Sequence, residues 1–167
     1  MNQLRHELAD LGGGAHALAI QIMGNADDAA DAVQDALTTV LERPGAYEPD
    51  KGPLRPWFLR VVRNRCIDLL RRRKPGGTPV EELPDPSVGP EKAAEIAEVT
   101  RLLQAALTNV APQQRQIVVL RDYLDLPYAQ IATVLDVPPG TVMSRLHRAR
   151  LALARAYREI DERSQKQ

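Results

Sequence analysis

The hydrophobic positions are most regularly spaced between Leu126 and Tyr157. Tyr128, Ile131, Ala132 and Leu135 recur at helical intervals, the chain breaks at Asp136-Val137-Pro138, and a longer periodic stretch follows. Pro139 suits the first position of that second helix, where a missing N–H costs nothing. At about 100° per residue, Leu146, Ala149 and Leu153 fall within about 40° of Val142 and make one apolar stripe. Ser144, His147, Arg148, Leu151 and Arg155 occupy the opposite face. A short helix, a tight turn and a second helix with a basic outer face form the pattern of a helix-turn-helix, whose second helix enters the major groove. The plainer alternative is a solvated basic face on an ordinary helical hairpin.

Elsewhere the pattern predicts helices only. Gly12-Gly13-Gly14 makes the N-terminus weak helix material up to Ala15, each glycine costing about 1 kcal/mol against alanine. A short apolar helix runs from Ala15 to Met23. Asn25 or Asp27 then caps a strong helix to about Glu42, with Val33, Leu37 and Val40 as its core stripe. Asp27, Asp31, Gln34 and Asp35 form an acidic ribbon on another side, which solubility alone would explain. Prolines and glycines make 43–56 a loop, and helix resumes from near Pro56 to about Arg73. Trp57, Phe58, Val61, Val62 and Leu69 are its apolar members, the lone Trp and Phe reading first as core. Pro75 to Pro90 holds five prolines and three glycines with almost nothing apolar, an extended linker that cannot bury a core. Ile96, Val99, Leu103, Ala106 and Val110 then mark an amphipathic helix. Pro112 opens another helix, carrying Ile117, Val118 and Leu120 to about Asp122, and the tail from Asp161 is polar. With no strand pattern and no repeat, the fold class is all-α: two small bundles, 1–74 and 93–167, joined by a linker at 75–92. A linker with nothing to glue the bundles predicts that they are mobile or loosely packed in the free protein.

Charge changes this picture more than composition does. There are 22 basic and 22 acidic residues, so the total argues against general nucleic-acid binding. Their distribution argues for it. Between Arg55 and Lys74 the only acid among eight basic residues is Asp68, and Val137 to Arg158 carries five arginines and no acid. The acids cluster instead at Asp27–Asp50 and Glu81–Glu98. One cysteine, Cys66, excludes an internal disulfide, and no Cys/His cluster has zinc spacing. No catalytic constellation or phosphate-cradling glycine loop stands out, so neither enzyme, cofactor nor metal is expected. No apolar run approaches a membrane span and no signal segment opens the chain, which predicts a soluble cytoplasmic protein without membrane insertion.

Taken together, the motifs resemble the bacterial RNA polymerase sigma factors of the extracytoplasmic-function, group-four type. The resemblance rests on Gly24-Asn25 with Asp28-Ala29-Ala30-Asp31-Ala32-Val33-Gln34-Asp35, on Trp57, and on the run Arg63 to Arg73. In the second half it rests on Tyr128-Ala129-Gln130-Ile131-Ala132 and on Gly140 to Arg150. It covers roughly Ala15 to Tyr157, and it is the order of these motifs around a Pro/Gly/acid linker that is specific.

The resemblance implies a transcription initiation factor that directs core RNA polymerase to promoters. Asp31, Gln34 and Asp35 would meet the polymerase. Trp57, Arg60, Arg63, Asn64, Arg71 and Arg72 would bind the −10 element as a single strand, with the loop Tyr47 to Pro53 and Asn64 holding a flipped base. Thr141, Ser144, Arg145, His147 and Arg148 would read −35 duplex DNA. Core polymerase, promoter DNA and an anti-sigma factor are the implied partners of a chain that is a monomer when free. Two features depart from the family: the glycines at 12–14, where the family's first helix is usually longer and richer in aromatics, and Met143, where many members carry Lys or Arg. Two other functions compete. One is a sigma-like decoy that binds an anti-sigma factor without DNA, disfavoured by the intact basic faces. The other is a stand-alone helix-turn-helix repressor, which leaves the first half unexplained.

Overall fold

The structure, a computed structural model, describes residues 2–73 and 90–166. These form helices α1 (Asn2–Met23), α2 (Ala26–Glu42), α3 (Leu54–Arg72), α4 (Pro90–Thr108), α5 (Pro112–Val118), α6 (Tyr128–Leu135) and α7 (Pro139–Gln165). Two 3-10 turns, Pro44–Ala46 and Pro49–Lys51, fill the loop before α3, and a π-helical turn, Val119–Tyr123, extends α5. The fold is all-α, and no helix of the described residues is long and apolar enough to cross a membrane. The expected linker falls almost wholly outside the described residues; α4 begins at Pro90.

The first correction concerns α1, which runs unbroken through Gly12-Gly13-Gly14. Against alanine the three glycines cost roughly 3 kcal/mol. Packing offsets this: continuing the helix carries Leu8 into the same core as Leu18, each nearly fully buried, and such burial contributes about 1.5–3 kcal/mol per large aliphatic. At Gly14 the missing side chain has a use. A Cβ there would stand 3.2 Å from Leu124 Cδ2, so a glycine lets the turn after α5 approach closely. Gly12 and Gly13 face open space.

α2 starts as its sequence predicts. Asn25 is extended (φ −152°, ψ 157°), and its side-chain carbonyl accepts from the Asp28 N–H at 2.8 Å. Ala29, Ala32, Val33, Ala36 and Val40 are buried against α1 and α3, while Leu37 is half-buried.

The helix-turn-helix is present. α6 ends with Asp136 in the left-handed region (φ 54°), the Val137 N–H donates to the Ala132 carbonyl (3.1 Å), and Pro138 leads into α7. Val142, Leu146 and Ala149 are buried as the stripe predicts, with Leu153 half-buried.

On α4 the apolar stripe differs from expectation. Leu102, Ala106 and Leu107 are buried, whereas Ile96, Val99 and Leu103 are 39, 53 and 40 % exposed. Ala106 and Val110 pack with Ala156 of α7 in a small satellite core, so it is the C-terminal part of α4 that finds cover.

The second correction concerns how the two halves sit together: they are packed against one another rather than loosely joined. One continuous apolar core runs from Leu8 through Phe58, Leu59 and Val62 to Ile117, Leu126, Ile131 and Leu146. α3 packs on α6, and α1 packs on α5 and on the turn after it. Arg55 donates to the Leu124 carbonyl (2.7 Å), and Arg63 Nε donates to Gln116 Oε1 (2.9 Å). Composition located a segment without glue, but the glue lies on the helices themselves, as apolar side chains that each half taken alone would leave exposed.

Candidate nucleic-acid interface

The outer face at the start of α7 follows from the stripe beneath it. With Val142, Leu146 and Ala149 inward, Ser144, Arg145, His147 and Arg148 are all exposed. Thr141 is half-buried; its N–H donates to Pro138 and its carbonyl accepts from the Ser144 hydroxyl (3.1 Å). Both bonds firm up the first turn of the helix. Met143 is 63 % exposed on the same turn, an apolar side chain among polar neighbours. Arg150 belongs to the basic stretch but pairs with Asp122, and this bond holds its charge firmly on. It braces α7 on the turn after α5.

The second face is built on α3. Asn64, Arg71 and Arg72 are exposed, and Trp57, Arg60 and Arg63 are half-buried. The Trp57 ring tilts 48° against Tyr47, with centroids 5.2 Å apart, and the Tyr47 hydroxyl donates to the Gly52 carbonyl (3.1 Å). Periodicity alone reads Trp57 as core. Trp57 does pack against the main core, and its ring also lines a cavity of about 500 Å³ together with Tyr47, Lys51, Gly52 and Arg60. The opposite wall is Ala129, Gln130 and Thr133 of α6, so the helix-turn-helix covers the aromatic pocket of the first half.

Arg63 lies farther along the same seam. Burial pulls its pKa down, Asp136 works against that, and Arg145 adds to it. Arg63, Arg145, Arg148 and the glutamines of α5 surround a second cavity of about 380 Å³, floored by Ile117 and Leu135. Residues assigned from sequence to two different DNA elements thus share one concavity.

The acidic ribbon is only partly available. Asp31 and Gln34 are exposed, whereas Asp35 accepts from both Nη2 (2.7 Å) and Nε (3.2 Å) of Arg65. Asp28, close by, accepts from Arg73 and Asn25, and these bonds lower its carboxyl to a pKa of about 2, Arg73 first. Arg65, Arg73, Gln116 and Tyr47 have structural partners that no sequence spacing announces. Cys66 is fully buried and burial pushes its thiol up to about 12, which leaves it unreactive. Arg115 is also buried, with burial lowering its pKa and its Nε left without a partner.

The model of sigma-70 region 2 matches residues 9–75, and that of sigma-70 region 4 matches residues 100–153. The ECF RNA polymerase sigma factor SigM of Mycobacterium tuberculosis is 36% identical over 140 residues, covering 84% of this chain and 69% of that protein. This chain belongs to the ECF RNA polymerase sigma factors. The corresponding SigE of Mycolicibacterium smegmatis is also 36% identical, over 145 residues and 81% of this chain; the chain spans 54% of that longer relative. Among solved structures, the sigma factor RpoE of Bartonella quintana, determined in complex with the anti-sigma factor NepR, superimposes with a TM-score of 0.72. It covers 95% of this chain and 98% of that one at 20% identity, a likeness of fold. As an ECF sigma factor, the protein is a promoter-directing transcription initiation factor. The two matched regions correspond to the two halves with exposed basic faces.

Proposed function

We propose that this sigma factor reads −35 duplex DNA with the start of α7 and the melted −10 strand with α3, while Asp31, Gln34 and Asp35 on α2 meet core polymerase. One observation carries the −35 assignment: Val142, Leu146 and Ala149 are buried on the side of α7 opposite exposed Ser144, Arg145, His147 and Arg148. Thr141 contributes at the edge of that face. For the −10 strand, the Tyr47–Trp57 pair and Arg60 offer a stacking surface beside cations, with Asn64, Arg71 and Arg72 exposed beyond it. The domain division is 1–74 for −10 and polymerase binding, 75–92 as connector and 93–167 for −35 binding. The protein works by binding rather than catalysis, in the cytoplasm with the polymerase, and is a monomer when free.

In the packed arrangement α6 covers the aromatic pocket and Gln116 holds Arg63, so promoter reading requires the halves to part. Bartonella RpoE was solved with an anti-sigma factor, and an anti-sigma partner that holds the packed form of this chain is the corresponding proposal here.

The test uses the full chain with core polymerase on duplex −35, duplex −10 and single-stranded −10 DNA. Arg148→Ala should cost ~1–3 kcal/mol on the −35 duplex and relax one base preference. Asn64→Ala should lower open-complex formation and −10 discrimination and leave −35 duplex binding intact. Equal losses on both elements would sink this division of labour. No promoter-dependent transcript across a promoter library would favour the decoy.

A further inference from the structure

The cleft between α3, α5 and the start of α7 is more than an overlap of two DNA-contacting faces. It gathers three guanidinium groups, Arg63, Arg145 and Arg148, and three amides, Gln113, Gln114 and Gln116, around about 380 Å³. Among the described residues no carboxylate lines it. Arg63 is held there, because Gln116 is only 4 % exposed and accepts its Nε–H at 2.9 Å. Its charge is therefore fixed in a half-buried site where burial first, and Arg145 in addition, work against it and Asp136 alone opposes them. Two exposed guanidinium groups, Arg145 and Arg148, converging on this held one create a positive potential in the concavity.

We propose that this cleft binds a small oligophosphate, a diphosphate or longer with or without a nucleoside, and that binding holds the two halves of the free protein together. Guanidinium forks match phosphate oxygens two at a time, and glutamine amides add neutral donors. The volume is that of a small-ligand site. A DNA duplex fits less well, since it needs the outer face of α7 clear, whereas here Arg145 and Arg148 share their cleft with Arg63 of α3. The ligand would draw on Arg63 from the first half and Arg145 and Arg148 from the second. It would therefore bind the packed form alone and shift the population toward it. This goes beyond the promoter-reading scheme and does not rest on it.

The experiment uses the full chain without polymerase or DNA, so its failure leaves the promoter assignment untouched. Inorganic pyrophosphate and magnesium-free ATP are titrated by calorimetry against sodium chloride of matched ionic strength. One-to-one saturable binding of pyrophosphate is expected, with tighter binding of ATP marking a nucleotide ligand and equal binding marking the phosphates alone. Arg145→Ala and Gln114→Glu should each weaken binding by about tenfold. Gln165→Glu, at the far end of α7, should leave it unchanged. Circular dichroism confirms that each variant is folded. Heat signals reproduced by chloride, more than one site per chain, or affinities insensitive to both Arg145→Ala and Gln114→Glu would overturn the proposal.

Discussion

Asp28 shows how much a single position combines. Its N–H is capped by Asn25 and its carboxylate takes hydrogen bonds from Arg73 and Asn25, so the start of α2 is tied to the end of α3. With its pKa lowered to about 2 in the folded state, Asp28 stabilises the fold above the ordinary carboxylate value of 3.8. That contribution is lost as pH falls from there through about 2. Urea midpoints followed from pH 5 to pH 2 should therefore decline in the native chain, and Asp28→Asn should flatten part of that slope. A second expectation concerns the cap: Asn25→Ala should cost about 1 kcal/mol, read from the same midpoints at neutral pH. Residues of this kind divide sharply in how far sequence reveals them. The Asn25 cap and the exposure of Ser144, Arg145, His147 and Arg148 were legible, because capping and periodicity are local. The Arg65–Asp35 pair, 30 residues apart, and the Arg63–Gln116 bond, 53 apart, were not, because nothing along the chain says which cation meets which acceptor.

At the level of elements, α1 and α4 depart from their sequence patterns for one shared reason. Propensity reads Gly12-Gly13-Gly14 as a break, and periodicity reads Ile96, Val99 and Leu103 as core, but the neighbouring helices overrule both. α1 keeps one face covered, at Leu8, Ala15 and Leu18, and stays helical, whereas the N-terminal part of α4 leaves Ile96 and Val99 exposed. The glycines give a direct test. Gly12→Ala and Gly13→Ala meet open space and should each raise thermal stability by about 0.5–1 kcal/mol. Gly14→Ala must push on Leu124 and should gain less or lose. Equal gains at all three positions would mean that the approach of Leu124 to α1 is slack. α2, α3 and α6 were readable in existence and extent because each carries its own stop signals: Asn25, the Pro/Gly loop at 44–53, and the Asp136–Pro138 turn. α7 was readable in its start only, since it runs on to Gln165 through the polar tail expected to fray.

For the whole molecule, the zero net charge conceals two basic faces, and the fold directs part of both into one seam. The linker composition suggested independence, yet a continuous core shows that helix faces rather than connectors decide whether two bundles associate. Arg55 is a useful lever on that seam, since it spans the halves through the Leu124 carbonyl and was not assigned to either DNA element. Arg55→Ala should weaken the packed form by roughly 1 kcal/mol or more. A larger radius of gyration in small-angle scattering and tighter apparent binding to core polymerase should follow, because the binding-competent fraction rises. An unchanged radius with unchanged polymerase affinity would mean that the core alone sets the packing.

The chain also carries its own optical probe. Trp57 is the only tryptophan, and its indole sits against Tyr47 in a cavity whose far wall is α6. Parting the halves removes that wall and wets the ring, so emission should shift to longer wavelength without any label. Mixing the protein rapidly with polymerase would then time the opening itself, with Trp57→Phe as the dark control.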